Sequence, residues 1–382
     1  MRRGDCAAIL HVRTRLTIRY AANVNGVIAL VGSGETAPGM VKVHRSLLSR
    51  YENPVAINLD SSYGFQENVP QMTAKLVEFF ATSLATTLEP VSLASYERAT
   101  PLERTLAKGR VREADYVFAG PGSPSYALAQ WRPLEVVEDF ATALERGATL
   151  AFASAATLTL GRFSAPIYEV YKAGADPYWL EGLDLLGRYG LVCAVIPHYD
   201  NAEGRDYDTS RCYLGERRLA RLEAELPADA AILGIDEHTA LVLDLGDDTA
   251  RVVGRGHAYW RRGDDVLVFG REATPLSAVR SGTRTPNEPS SVPPAQSDEP
   301  HRLAEAAHGG DLEALAALVR AANRAPTPAL LVEAVLDARA IARASGHYDL
   351  ADRLRDGLLE AGIELRDGPA GTTWLAPATA RS

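Results

Sequence analysis

The sequence predicts an α/β protein built on a mostly parallel, doubly wound sheet and followed by a small helical C-terminal domain. Three observations carry this reading. Short apolar runs alternate with amphipathic segments between residues 26 and 271, and several of those runs end in glycine or serine turns, as buried strands do. A polar stretch over 272–300, plainest in SGTRTPNEPSSVPPAQSDEP, then separates this region from a helix-patterned tail over 301–382. Residues 1–25 read as an N-terminal extension, and 272–300 as a flexible linker.

The totals bound what such a chain can be. With 382 residues and 46% hydrophobic content it can bury a sizeable core in two or three domains. A net charge of −9 argues against a dominant attraction to nucleic acid, although a local basic face is compatible with it. Cys6, Cys193 and Cys212 show no paired spacing, which fits a reducing compartment and implies neither a zinc site nor another cofactor. His11, Arg13, Arg15 and Arg19 interrupt the apolar run that a signal peptide would need. No stretch approaches the ~20 apolar residues of a membrane span. The expectation is a cytoplasmic protein.

The elements follow in order. Gly26 to Gly32 is a buried strand feeding the turn Ser33-Gly34-Glu35. That turn is either a phosphate cradle or, more simply, a tight strand exit, because Pro38-Gly39 fall where a phosphate-binding helix should be running. Val55 to Leu59 is a second strand, Val69 to Leu84 an amphipathic helix, and Val91 to Leu93 a third strand. Tyr116 to Ala119 ends in Gly120-Pro121-Gly122-Ser123, whose amides can point at an anion, or which can be an ordinary turn. A helix starts at about Ser125 and another spans Pro133 to Arg146. Leu191 to Ile196 is a further strand, and Leu241–Leu245, Ala250–Val253 and Val266–Phe269 form a closing antiparallel set. Ligands belong at the carboxyl ends of the parallel strands, where Gly34, Gly122 and Ser154 fall.

The chemistry centres on Thr149-Leu150-Ala151-Phe152-Ala153-Ser154-Ala155-Ala156. It reads as a buried strand that breaks at Ser154 into a helix, the geometry of a nucleophile elbow, and the small neighbours suit a strained turn. The plainer reading is a helix N-cap serine. Downstream, a strand ends in Pro197-His198-Tyr199-Asp200-Asn201, so His198 can take a serine proton and return it. Glu169, Asp200 and Glu237 are the carboxylates that can orient its imidazole, and spacing alone does not choose among them. Arg211, Arg217 and Arg218 can hold a substrate carboxylate, or can simply form a solvated helix face.

Residues 26–271 resemble the dipeptidase E and cyanophycinase group of serine peptidases, whose fold is that of class I glutamine amidotransferases. PHYDNAEG with RCYLGERRL is similar to the histidine motif, FAGPGSPSYAL to the glycine loop, FASAAT to the elbow, and GIDEHTAL to a segment common in cyanophycinases. The resemblance implies Ser154 as nucleophile, His198 as base and Glu169 as the acid following the serine. It also implies an oxyanion site on amides of Ala155 and the Gly122 loop. Phe152 and Ala156 stand where the elbow has glycines, and Pro121 interrupts the glycine loop.

Separately, residues of about 330 to 375 resemble the C-terminal end of cysteinyl-tRNA synthetases, over predicted helices at 311–323, 328–344 and 348–361 and a hairpin from Ile363 to Trp374. None of the synthetase's catalytic motifs is present. The expectation is a serine hydrolase of a small peptide or amide, with a homodimer as a possible assembly. The alternative is a binding protein without turnover whose residues 301–382 recruit tRNA or a protein partner. The tail's interspersed charges lean toward the protein partner.

Overall fold

A computed structural model describes residues 24–204 and 207–281 and, nearer the C-terminus, 352, 355, 356, 364–368 and 371–375. The extension up to residue 23, most of the linker and almost all of the three predicted C-terminal helices lie outside the described residues. The chain divides into two units, Met1–Glu288 and Pro289–Ser382.

Two sheets organise the first unit. In the larger, β1 (Val27–Val31), β2 (Ala56–Leu59), β3 (Leu88–Val91), β4 (Tyr116–Ala119) and β5 (Thr149–Ala153) run parallel in the order β1-β5-β4-β2-β3. Alternate residues of β1 enter different cores. Val27, Ala29 and Val31 pack with Met40 and Val43 of α1 (Pro38–Leu48) and Phe80 of α2 (Val69–Leu84), whereas Ile28 and Leu30 enter the opposite face. There they meet Val111 of α3 (Pro101–Glu113), Trp131 of α4 (Pro124–Trp131) and Phe140 of α5 (Val136–Glu145). Burial on both faces is what a continuous apolar strand requires.

After α6 (Ala155–Leu158), the chain builds the second sheet, beginning with β6 (Phe163–Ser164) and, beyond α7 (Ile167–Tyr171), β7 (Leu180–Glu181). β8 (Cys193–Ile196) pairs parallel with β9 (Ala231–Ile235), and α8 (Gly215–Ala224) packs Leu219 and Leu222 on its outer face. The core between the sheets holds Val195 and Leu233 from β8 and β9 together with Phe152 from β5. β10 (Thr239–Asp244) returns antiparallel to β1 and carries β11 (Thr249–Gly254), while β12 (Ala258–Arg262) and β13 (Asp265–Phe269) extend the second sheet.

The mostly parallel α/β architecture is therefore present, divided between two sheets. Helix α1 begins where Pro38 suggested an interruption, because proline occupies its first turn and its missing N–H belongs to a position without an intrahelical acceptor. The ordered domain also runs past 271: β14 (Thr274–Pro275) pairs with β11, and α9 (Leu276–Ser281) buries Leu276 and Val279, one turn apart. Among the described residues no helix is long and apolar enough to cross a membrane. In the second unit, β15 (Glu364–Gly368) and β16 (Gly371–Leu375) pair antiparallel, with Glu364 opposite Leu375, as the hairpin pattern anticipates.

Candidate active site

Ser154 sits at the carboxyl end of β5 with φ 50° and ψ −116°, in a region that L-residues seldom occupy. Local bonds hold it there. Its N–H donates to Val31 O at 3.0 Å, and Thr157 closes the turn, donating from its amide to Ser154 O at 3.0 Å and from Oγ1 to Phe152 O at 2.8 Å. Phe152, where an elbow glycine was expected, points away from the turn. It is fully buried, its ring centroid 5.2 Å from that of Phe140 and 5.8 Å from that of Trp131. Strand alternation sends Phe152 to the core between the sheets and Ala153 to the other face, so the large side chain does not crowd the serine.

His198 follows β8, itself at φ 47°. Its Nε2 lies 2.9 Å from Ser154 Oγ, and its Nδ1 lies 2.6 Å from Glu237 Oε1. A carboxylate on Nδ1 places the ring proton there, leaving Nε2 to accept from the serine hydroxyl. Glu237 follows β9 and is held from two sides: Asn201 Nδ2 donates to its Oε1 at 3.1 Å, and its own N–H donates to Asp200 Oδ1 at 2.7 Å. Bonding to His198, the largest influence, holds the Glu237 carboxyl below its ordinary range. Serine, imidazole and carboxylate thus come from the carboxyl ends of three strands in two sheets.

The three candidate carboxylates separate clearly. Glu237 reaches the imidazole. Asp200 bonds the Glu237 amide, and burial pushes its carboxyl upward. Glu169, the acid carried over from the resemblance, instead accepts a hydrogen bond from Ser125 Oγ in α4, and its Oε2 is buried without a hydrogen-bond partner. Behind Asp200, Asp236 accepts from the His257 amide at 2.8 Å and from the Tyr259 hydroxyl at 3.2 Å. Burial, reinforced by Asp200, raises Asp236 to about 6.

The cleft above Ser154 has a volume of about 340 Å³. Gly122 and Ala155, the predicted oxyanion donors, line it with Tyr168, Tyr171, Tyr213 and Lys172. The Ala155 amide opens α6 and has no intrahelical acceptor. Gly122 must be glycine: at φ 147° a Cβ would lie 1.9 Å from Ser62 O. Arg211 and Arg217 do not line the cleft. Arg211 stacks 3.9 Å over Tyr199 and bonds Tyr199 O and Glu216, while Arg217 is exposed on α8. Of the lining residues, Lys172 is the cation.

Two contributors escaped the sequence reading. Asn201 is 2% exposed, and nothing in PHYDNAEG separates its structural role from that of an ordinary loop asparagine. Glu35 is half-buried in the β1 exit turn. Burial raises its carboxyl, and attraction to His198 and His238 opposes the rise. The Glu35 carbonyl accepts from buried His44 Nε2 at 2.7 Å, and burial lowers His44 to about 4.

Comparison with known proteins finds two separate similarities. A peptidase from an acI-B1 Actinobacterium shares the fold at a TM-score of 0.52 and 22% identity, over 66% of this chain and 98% of its own. Residues 329–374 match the family described as the cysteinyl-tRNA ligase anticodon binding domain. Cysteine–tRNA ligases of Delftia acidovorans and Variovorax paradoxus are 55% identical over 47 residues and 51% over 45, in each case 12% of this chain and 10% of the ligase. That of Granulibacter bethesdensis is 35% identical over 113 residues, 26% of this chain and 22% of the ligase. The chain thus spans about a tenth of the length of the curated relatives it matches first. It joins an α/β domain with the fold of that peptidase to a segment similar to the anticodon binding domain of cysteine–tRNA ligases.

Proposed function

We propose that the first unit is a serine hydrolase that cleaves a small peptide or amide through an acyl-enzyme on Ser154. The observation that carries this is the continuous line Ser154 Oγ, His198 Nε2, His198 Nδ1, Glu237 Oε1, with contacts of 2.9 and 2.6 Å. In the acylation step Ser154 Oγ bonds the substrate's acyl carbon as its proton passes to His198 Nε2. The developing oxyanion takes hydrogen bonds from the Ala155 and Gly122 amides. The imidazolium, stabilised by Glu237, gives that proton to the amine as the C–N bond breaks. Water then repeats the sequence: it loses a proton to Nε2, its oxygen bonds the acyl carbon, and Ser154 Oγ departs with the proton. A cleft of about 340 Å³ supports a small substrate.

Glu237 takes the orienting role in this reading, and Lys172 replaces Arg211 and Arg217 as the cation beside the substrate. A fluorophosphonate probe tests it. The wild type should label at one site, and Ser154→Ala and His198→Ala should each abolish labelling without lowering the melting temperature by more than a few degrees. Labelling that persists in Ser154→Ala overturns the assignment, and an unlabelled, folded wild type favours the alternative of binding without turnover.

The match over 329–374 supports a second partner, tRNA, for the C-terminal unit. The family description favours tRNA over the protein partner that the mixed charge pattern suggested. Retention of bulk tRNA by the full chain on a nitrocellulose filter tests this. No retention at low salt returns the reading to a protein partner.

A further inference from the structure

We infer that Glu169 is a positioning residue that clamps the Gly122 oxyanion loop against α7, an inference that rests on the hydrolase reading above. The argument is a directed chain of hydrogen bonds. The Tyr126 amide donates to Ser123 Oγ at 3.2 Å, Ser123 Oγ lies 2.9 Å from Ser125 Oγ, and Ser125 Oγ donates to Glu169 Oε1. Each hydroxyl has one proton. An amide donor at one end and a carboxylate acceptor at the other leave one arrangement: Ser123 O–H donates to Ser125, and Ser125 O–H donates to Glu169.

Both ends of this chain adjoin the cleft. Ser123 follows Gly122 and caps α4, and its own amide donates to Ser62 O at 2.8 Å, the oxygen against which Gly122 is wedged. Glu169 follows Ile167 and Tyr168 of α7, which also line the cleft, and its carbonyl accepts from the Ala175 amide at 2.9 Å. The serine–serine–glutamate relay therefore ties the loop that carries the proposed Gly122 oxyanion donor to α7, whose Ile167 and Tyr168 also line the cleft. Catalysis needs that donor preorganised, because an amide that must reorient at the moment of reaction loses most of its value. A carboxylate is the strong acceptor for the task, since hydrogen bonds to an ionised group are about twice as strong as neutral ones. Glu169 touches neither Ser154 nor His198 in this arrangement, so its effect passes through the loop.

The experiment combines two readouts on the full chain. Hydrogen exchange followed by mass spectrometry reads the loop, and the rate of fluorophosphonate labelling against pH reads the site. Glu169→Ala and Ser125→Ala should each speed exchange in peptides covering 120–126 and slow labelling by about tenfold or more. The shape of the pH profile should stay that of the wild type, and the double variant should be no worse than the worse single. Glu169→Gln, which keeps an acceptor oxygen, should restore labelling to within a few-fold. Glu237→Gln should distort the pH profile while leaving loop exchange unchanged. Unchanged exchange in both Glu169→Ala and Ser125→Ala overturns the clamp. So does a Glu169→Gln variant as impaired as Glu237→Gln, which would make Glu169 the orienting acid. If exchange responds as expected but the wild type never labels, the hydrolase reading fails and Glu169 is left without a reaction to position, so the two failures are distinguishable.

Discussion

At the scale of single residues, the site spends stability to hold its groups. Ser154 at φ 50° and ψ −116° occupies backbone that costs an L-residue on the order of 1–3 kcal/mol and glycine much less. Ser154→Ala keeps that strain, whereas Ser154→Gly relieves it. Urea unfolding should therefore find Ser154→Gly more stable than Ser154→Ala by about 1 kcal/mol, with both inactive toward the probe. Equal midpoints would mean that the turn imposes no strain. Asp236 stores free energy differently. Its carboxyl, raised to about 6 by burial and by Asp200, binds a proton in the folded protein at pH values where the unfolded chain has released it. Stability from this residue is then full below about pH 4 and declines as pH rises through 6, by about 3 kcal/mol. Asp236→Asn should flatten that part of the melting-temperature profile. Glu237 acts in the opposite sense: its lowered carboxyl stabilises the fold above the ordinary carboxylate range and stops doing so as pH falls through its depressed value.

At the scale of elements, legibility in the sequence follows the range of the interaction that fixes each feature. Helix Val69–Leu84 and the break at Ser154 are governed by local pattern, and both lie where the pattern puts them. The carboxylate that meets His198 is not local. Glu237 reaches His198 because β9 lies beside β8 in a second sheet, and no spacing in the chain reports that pairing. Arg211 is a similar case: its residue type allowed it to hold a substrate carboxylate, but a left-handed run over Arg211, Cys212 and Tyr213 turns its guanidinium onto Tyr199. Helix α3 was legible and missed, since Thr100 and Glu103 form a capping box before a mainly polar helix. The loop between β4 and α4 gives the element-scale prediction. A methyl at Gly122 would sit 1.9 Å from Ser62 O, a backbone atom that cannot swing aside. Gly122→Ala should therefore move the loop and cut the labelling rate by about 100-fold, in the range found for loss of an oxyanion donor. Circular dichroism should show the sheets intact, and a labelling rate within twofold of wild type would remove Gly122 from the site.

At the scale of the whole molecule, two units similar to different known proteins share one chain, and the proposed roles can be tested on each separately. The first unit brings Ser154, His198 and Glu237 together from the ends of β5, β8 and β9, all within Met1–Glu288. Ending the chain at Glu288 should leave fluorophosphonate labelling within twofold of the full-length rate, because no residue of the proposed reaction lies beyond that point. The matched segment 329–374 falls wholly in the second unit, so the same truncation should abolish tRNA retention. A chain of net charge −9 repels a polyanion as a whole. Retention must then come from a few Lys and Arg contacts with phosphate, and affinity should fall steeply with salt, its logarithm declining in proportion to the number of phosphates neutralised. Full-length protein titrated with tRNA at increasing potassium chloride measures that slope. A slope near zero would remove phosphate contacts from the account, and with them the reason to read 329–374 as an RNA-binding element.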